Sequence, residues 1–205
     1  MTPEDARRLF DRSGAILSGH FRLSSGRHSG LYVEKARILE RPEETMVLAR
    51  EIASWYPAVD AVVAPAVGAI AMGFAVALAA GARSMFAERE DGRMRLRRGF
   101  LLSPGERTLV VEDVVTTGGS AHEVFELVGE AAAEPLGVAA LIDRSAEPLG
   151  FPLRAVLALE APTWEPEECP SCQGGVPLES PGSRHLRGPA RGELRRTPTE
   201  PSPRG

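Results

Sequence analysis

Lysine is almost missing from this chain. Of 24 basic residues among 205, Lys35 is the only lysine and the other 23 are arginines. Cysteine is nearly as scarce: two thiols cannot build a disulfide framework, so a reducing cytoplasm is the natural compartment. No apolar run reaches the length of a membrane span, and the N-terminal segment MTPEDARRLF lacks a secretory hydrophobic region. An excess of positive charge is absent too. The net charge of −4 and a pI near 5.7 argue against a general nucleic-acid coat protein. With 43% hydrophobic and 5% aromatic residues, the length suits one domain around a single buried core, with room for an appendage.

Composition changes near residue 165. Positions 165–205 hold 8 of the 17 prolines and 6 of the 21 glycines, too many breakers for a core. Residues 184–205 carry six arginines and two glutamates, and this end reads as a disordered, solvated terminus. The expected division is a folded unit over 1–164, a Cys-x-x-Cys extension over 165–187 and a disordered tail over 188–205.

The first 164 residues alternate helical and strand patterns. Thr2-Pro3-Glu4-Asp5 is a helix start, with Thr2 as cap, Pro3 where its missing N–H costs nothing and two acids at the positive end of the dipole. That helix is expected to run to about Arg12. Residues 19–33 read as two extended pieces around a Ser/Gly-rich turn, and 42–55 as an amphipathic helix. Short apolar strands are expected at 58–64, 84–88, 108–111, 136–142 and 154–159. A buried, closely packed helix is expected at 68–80, and another helix at 123–133. Residues 89–99 (REDGRMRLRRG) form a charged excursion. The alternation predicts an α/β fold with a mostly parallel central sheet flanked by helices. Ligands on such folds sit at the carboxyl ends of strands, which directs attention to the loops after Ala64, Val111 and Ile142.

The most informative stretch is Leu109-Val110-Val111-Glu112-Asp113-Val114-Val115-Thr116-Thr117-Gly118-Gly119-Ser120. An apolar strand delivers two carboxylates, then a hydroxyl- and glycine-rich loop, then a helix. Converging backbone N–H groups, hydroxyl donors and a helix N-terminus suit a phosphate. Carboxylates do not belong on a phosphate, but they accept well from vicinal sugar hydroxyls. A sugar phosphate with free hydroxyls therefore fits both halves; the plain alternative is a strand end with two exposed acids. The lysine and four-residue spacing of a nucleotide-hydrolysing P-loop are absent.

This stretch resembles the phosphoribosyl-diphosphate (PRPP) signature of type I phosphoribosyltransferases. Gly19–Val33 (GHFRLSSGRHSGLYV) resembles the N-terminal hood, over about 1–35, of the orotate-using members, and Asp143-Arg144 resembles their carboxylate-binding pair. The resemblance spans roughly residues 1–185. It implies a PRPP site made of Glu112, Asp113, Val114, Val115, Thr116, Thr117, Gly118, Gly119 and Ser120, with the acids on the ribose and Thr116–Ser120 on the 5′-phosphate. It implies a pyrophosphate turn at Pro65, Ala66, Val67 and Gly68, and orotate contacts from Thr116, Arg144 and Tyr32. Arg144 would meet the orotate carboxylate by a charge-assisted fork.

The same resemblance implies transfer of phosphoribose from PRPP to orotate, giving orotidine 5′-monophosphate and pyrophosphate in pyrimidine biosynthesis. Mg²⁺ would be held mainly through substrate, and no protein side chain is expected to ligate metal directly. A homodimer is implied, whose 89–98 loops cover each other's diphosphate, with Arg89 and Arg93 as the catalytic cations. Where the family often has lysines, this chain has Ser24 in the hood turn, no lysine after Ala64, and a loop with neither lysine nor histidine. A phosphoribosyltransferase for a purine base or uracil, or a non-catalytic PRPP-sensing regulator, are the other readings. Cys169-Pro170-Ser171-Cys172 resembles an extension found in one branch. It supplies half a zinc site, and no second pair follows it, leaving a knuckle, free thiols or a half-site shared across a dimer.

Overall fold

The computed structural model describes residues 1–23 and 25–181. Ser24 and the expected tail at 188–205 lie outside the described residues. Helix α1 (Pro3–Ser13) starts as its sequence dictates: Thr2 Oγ1 accepts from the Asp5 N–H at 3.1 Å, and Gly14 closes the other end in the left-handed region at φ 73°. Strands β1 (Ile16–Arg22) and β2 (His28–Val33) then form an antiparallel hairpin, the hood. After a single turn, α2 (Ala36–Leu39), come α3 (Pro42–Ser54), β3 (Ala61–Pro65), α4 (Ile70–Ala80), β4 (Arg83–Glu90), β5 (Arg93–Leu96), β6 (Arg107–Val115), α5 (Gly119–Glu130), β7 (Glu134–Asp143) and β8 (Leu153–Ala158).

The central sheet has the order β5-β4-β3-β6-β7-β8, parallel throughout except for β5. Alternation along each strand divides the core into two layers. Val62, Leu109, Val111, Ala139 and Leu141 meet Leu9, Phe10, Leu48, Ile52, Met72 and Val76 from α1, α3 and α4. Val63, Val110 and Val138 face the other way, against Ala121, Val124 and Val128 of α5. Coverage of both faces is what continuous runs such as Ala61–Ala64 require, because neither side of those strands can meet water.

Four differences from the sequence expectations have physical causes. Strand β6 does not end at Val111 but continues through the acid pair to Val115, because β7 pairs with it as far as Val115↔Asp143. The charged excursion is a hairpin: Asp91 (φ 49°) and Gly92 (φ 82°) turn β4 into β5. Helix α4 is not buried all round. Phe74 and Leu78, one turn apart, are 60% and 63% exposed. A further strand follows the five expected ones, because the edge of β2 takes up β9 (Thr163–Trp164), after which come a 3₁₀ turn and a short α6 (Pro170–Gln173). No helix among the described residues is long and apolar enough to cross a membrane.

Candidate active site

The carboxyl end of β6 opens into a cleft of about 90 Å³ lined by Glu112 and the continuous run Val114–Ala121. Gly118 is left-handed at φ 73°, which turns the chain from the strand into α5. The left-handed backbone favours glycine, and a Cβ there would also press on Leu149 Cδ2 at 2.9 Å and Phe151 Cζ at 3.1 Å. Thr116, Thr117 and Gly119 are exposed at the rim, ahead of a 12-residue helix whose first N–H groups lack side-chain caps. This is an arrangement of donors without an acceptor, suited to an anion.

Because β6 runs on through the acid pair, alternation turns the two carboxylates to opposite faces. Glu112 lines the cleft, while Asp113 is buried on the other side and forms an ion pair with Lys35. Asp113 Oδ1 accepts from the Val114 N–H at 2.6 Å, and Oδ2 has only the Lys35 ammonium among the described residues. Gly68 completes this corner: a side chain there would run into both Asp113 Oδ2 and Lys35 Nζ. The turn Pro65–Gly68, whose Ala66–Val67 peptide is cis, is thereby held against the acid end of β6. Lys35, which the sequence pattern left without a place, sits inside the site.

Burial, and then repulsion from Asp113, push the Glu112 carboxyl up to about 8, with Lys35 offsetting part of the effect. A carboxyl whose folded pKa is raised holds its proton longer in the folded than in the unfolded chain. Its contribution to stability is therefore complete below the ordinary value of 4.5 and is lost as pH rises through about 8. Glu112→Gln removes the ionisable group. Above that pH the ligand-free variant is expected to be more stable than the parent by about 1–2 kcal/mol, or about 3–6 °C in Tm, with the difference vanishing in acid. Thermal denaturation across pH checks this; a pH-independent difference contradicts it.

Arg144 follows β7, and its backbone N–H donates to Val115 O at 2.8 Å, which fixes it beside Thr116. Its side chain is half-buried, and its Nε is buried without a hydrogen-bond partner among the described residues. Burial alone pushes its pKa down. A desolvated guanidinium with an open donor asks for an anion.

The remaining expected residues lie further out. Arg89 does not point at the cleft loop: it forks onto Glu123 of α5, with Nη2–Oε1 at 2.8 Å and Nη1–Oε2 at 3.1 Å. Arg98 forks onto Glu88, and Arg95 and Arg97 face Glu90. Among the described residues, Arg93 alone of the hairpin arginines makes no ion pair. Tyr32, on β2, packs its ring 5.7 Å from Phe21, and burial raises its hydroxyl pKa. Two hood histidines, His20 and His28, are buried against Cys169 and Cys172. Nothing in the sequence around the cysteines announced them, because the partners lie about 150 residues upstream across a hairpin.

A parallel sheet, a strand-end acid pair and a hydroxyl–glycine anion loop define a sugar-phosphate-handling α/β protein. Comparison with known proteins gives the class: residues 37–149 match the phosphoribosyl transferase domain family. The orotate phosphoribosyltransferase of Pelotomaculum thermopropionicum is 46% identical over 190 residues, covering 91% of this chain and all of the relative. Among solved structures, the orotate phosphoribosyltransferase of Mycobacterium tuberculosis, in complex with Fe(III) dicitrate, superposes with a TM-score of 0.60 at 25% identity, covering 76% of this chain and 97% of that one. The adenine phosphoribosyltransferase of Leishmania tarentolae also reaches 0.60, at 15% identity over 77% of this chain and 89% of its own. The chain belongs to the phosphoribosyl transferase family and, within it, to the orotate phosphoribosyltransferases.

Proposed function

We propose that the chain transfers phosphoribose from PRPP to orotate, releasing pyrophosphate and forming orotidine 5′-monophosphate. The fold does not choose the base, since an adenine enzyme shares it equally well. The observation that carries the choice of orotate is Arg144, half-buried beside Thr116 with its Nε unpartnered. A neutral purine or uracil leaves that charge uncompensated, whereas the orotate carboxylate meets it. The base nitrogen attacks the anomeric carbon directly, so no nucleophilic side chain is needed.

Thr116–Ser120 would hold the 5′-phosphate, and Val114 and Val115 shape the wall beneath it. Glu112 and Asp113 would accept from the ribose hydroxyls, Asp113 exchanging Lys35 for sugar. The turn Pro65, Ala66, Val67 and Gly68 would cradle the diphosphate, with Tyr32 and Thr116 bounding the base. Positive charge grows on the sugar and negative charge on the departing diphosphate, so catalysis rests on positioning and electrostatics. Glu112 at the cleft and Asp113 behind it offer hard carboxylate oxygens, which suit Mg²⁺, and would hold it through water and substrate. When bound, that ion neutralises charge on the diphosphate.

Arg89 and Arg93 serve best as cations lent to a second subunit, because in its own chain Arg89 faces α5. The exposed Phe74 and Leu78 support a homodimer, and two free thiols suit a reducing cytoplasm. Pyrophosphate release with PRPP and Mg²⁺ is expected with orotate and not with uracil or adenine. Turnover with adenine or uracil instead selects the other-base reading, and silence with every base selects the sensing regulator.

A further inference from the structure

The hood and the C-terminal extension meet at four side chains that the transfer reaction does not use. His20 lies on β1, His28 on β2, and Cys169 and Cys172 bracket the first turn of α6. One ligand atom from each lies within 4.8 Å of the others. His20 Nε2 is 3.1 Å from His28 Nδ1, 3.4 Å from Cys169 Sγ and 3.6 Å from Cys172 Sγ, and Cys172 Sγ is 3.3 Å from His28 Nδ1. Three of the four are fully buried, with His20 at 2%, His28 at 4% and Cys169 at 1% exposure.

We propose that His20 Nε2, His28 Nδ1, Cys169 Sγ and Cys172 Sγ form a structural Zn²⁺ site that clips the extension onto the hood. Zinc bonds of about 2.0–2.1 Å to nitrogen and about 2.3 Å to sulfur give a tetrahedron with edges of about 3.3–3.8 Å, and the separations of 3.1, 3.3, 3.4 and 3.6 Å overlap the lower part of that range. The tautomer of His20 is set by its surroundings. Its Nδ1 is 2.8 Å from Val176 O, and a carbonyl only accepts, so Nδ1 carries the proton and Nε2 presents its lone pair inward. Val176 belongs to the same extension, so the outer hydrogen bond and the ligands arise from the same two segments.

Charge balance favours the same conclusion. Two thiolates and two neutral imidazoles around Zn²⁺ make a neutral centre, which can be buried without an unpaired charge. Four protein ligands leave no open position, which marks a structural rather than a catalytic zinc. The other contacts between these segments flank α6 and are not made by it: β9 pairs Thr163 and Trp164 with β2, Arg27 reaches Thr163 and Glu165, Ser29 Oγ donates to Pro162 O, and Glu179 exchanges backbone hydrogen bonds with His20 and Arg22 at 2.8 Å. A metal bond from Cys169 to His20 spans 149 residues, a large loop to close in the unfolded chain.

Binding replaces the two S–H protons by metal, releasing two protons per ion with no redox step. The test uses the untagged full chain, expressed with added Zn²⁺ and purified under reducing conditions without chelator. Elemental analysis should find about one zinc per chain. Replacement by Co²⁺ should give the visible bands of a tetrahedral centre together with thiolate charge transfer. Cys172→Ser, at an exposed ligand, should lose most of the metal and lower Tm by about 10 °C. His28→Gln should do the same with both thiols intact. Zinc well below stoichiometry after reconstitution overturns the proposal. So does full retention of metal by either variant, or a Cys169–Cys172 disulfide in the reduced-purified chain. These readouts are independent of turnover, so the outcome separates cleanly from that for the transferase activity.

Discussion

Arg144→Ala is expected to lower kcat/KM for orotate by about 100-fold or more while leaving KM for PRPP within a few-fold of the parent. A charge-assisted hydrogen bond in a partly desolvated site is worth about 1.5–3 kcal/mol, and a forked pair reaches the upper end and beyond. Removing it costs orotate recognition alone, because Arg144 lies at the end of β7 and not among the loop residues assigned to the phosphate. The stability effect should run the other way. A half-buried guanidinium with an unpartnered Nε is a burden on the ligand-free fold, so the variant's Tm should be unchanged or higher. Arg144→Lys should remain impaired, since a point charge cannot reproduce the fork. Steady-state kinetics with each substrate varied in turn, alongside thermal melts, measures all of this. A parental KM for orotate in Arg144→Ala removes the basis for choosing orotate over a neutral base.

The second large effect concerns the buried pair Asp113–Lys35. Asp113→Asn keeps the shape and can still accept the Val114 N–H, so the fold should survive with a Tm near that of the parent. The assigned role on the ribose depends on charge. The expected loss in kcat/KM for PRPP is about 100-fold, corresponding to about 3 kcal/mol. Lys35→Met is the contrasting change. It leaves Asp113, whose side chain is 5% exposed, without its counter-charge, and should cost about 2 kcal/mol of stability, or about 4–8 °C in Tm. The pair thus separates a group needed for substrate from a group needed to shelter it. If Asp113→Asn unfolds the chain instead, the acid is a structural element and its assignment to substrate fails.

Much of the site was legible along the chain because its parts are contiguous. A strand, two acids, a Thr-Thr-Gly-Gly-Ser loop and a helix follow one another in sequence, and local geometry alone gathers donors suited to an anion. The left-handed turn at Gly118, which leads the strand into the helix, became visible only in the fold. The partition of the acid pair was not legible. Whether Glu112 and Asp113 face the same ligand or opposite sides depends on where β6 stops, and that is set by β7, which pairs as far as Asp143. The hairpin arginines show the same limit. Their abundance was visible, but the engagement of Arg89 with Glu123 joins elements that only the packed sheet brings together.

The sequence by itself determined the α/β alternation, the anion loop and the identity of the one lysine available for any lysine-specific task. Tertiary structure decided what that lysine does, by folding Lys35 over Gly68 onto a buried carboxylate. It likewise turned a Cys-x-x-Cys with no visible partner into half of a four-ligand cluster, by laying α6 against a hairpin 149 residues earlier. The reason is the same in both cases. Short-range spacing is written into helix and strand periodicity, whereas contacts between distant segments exist only once the core has fixed how those segments pack.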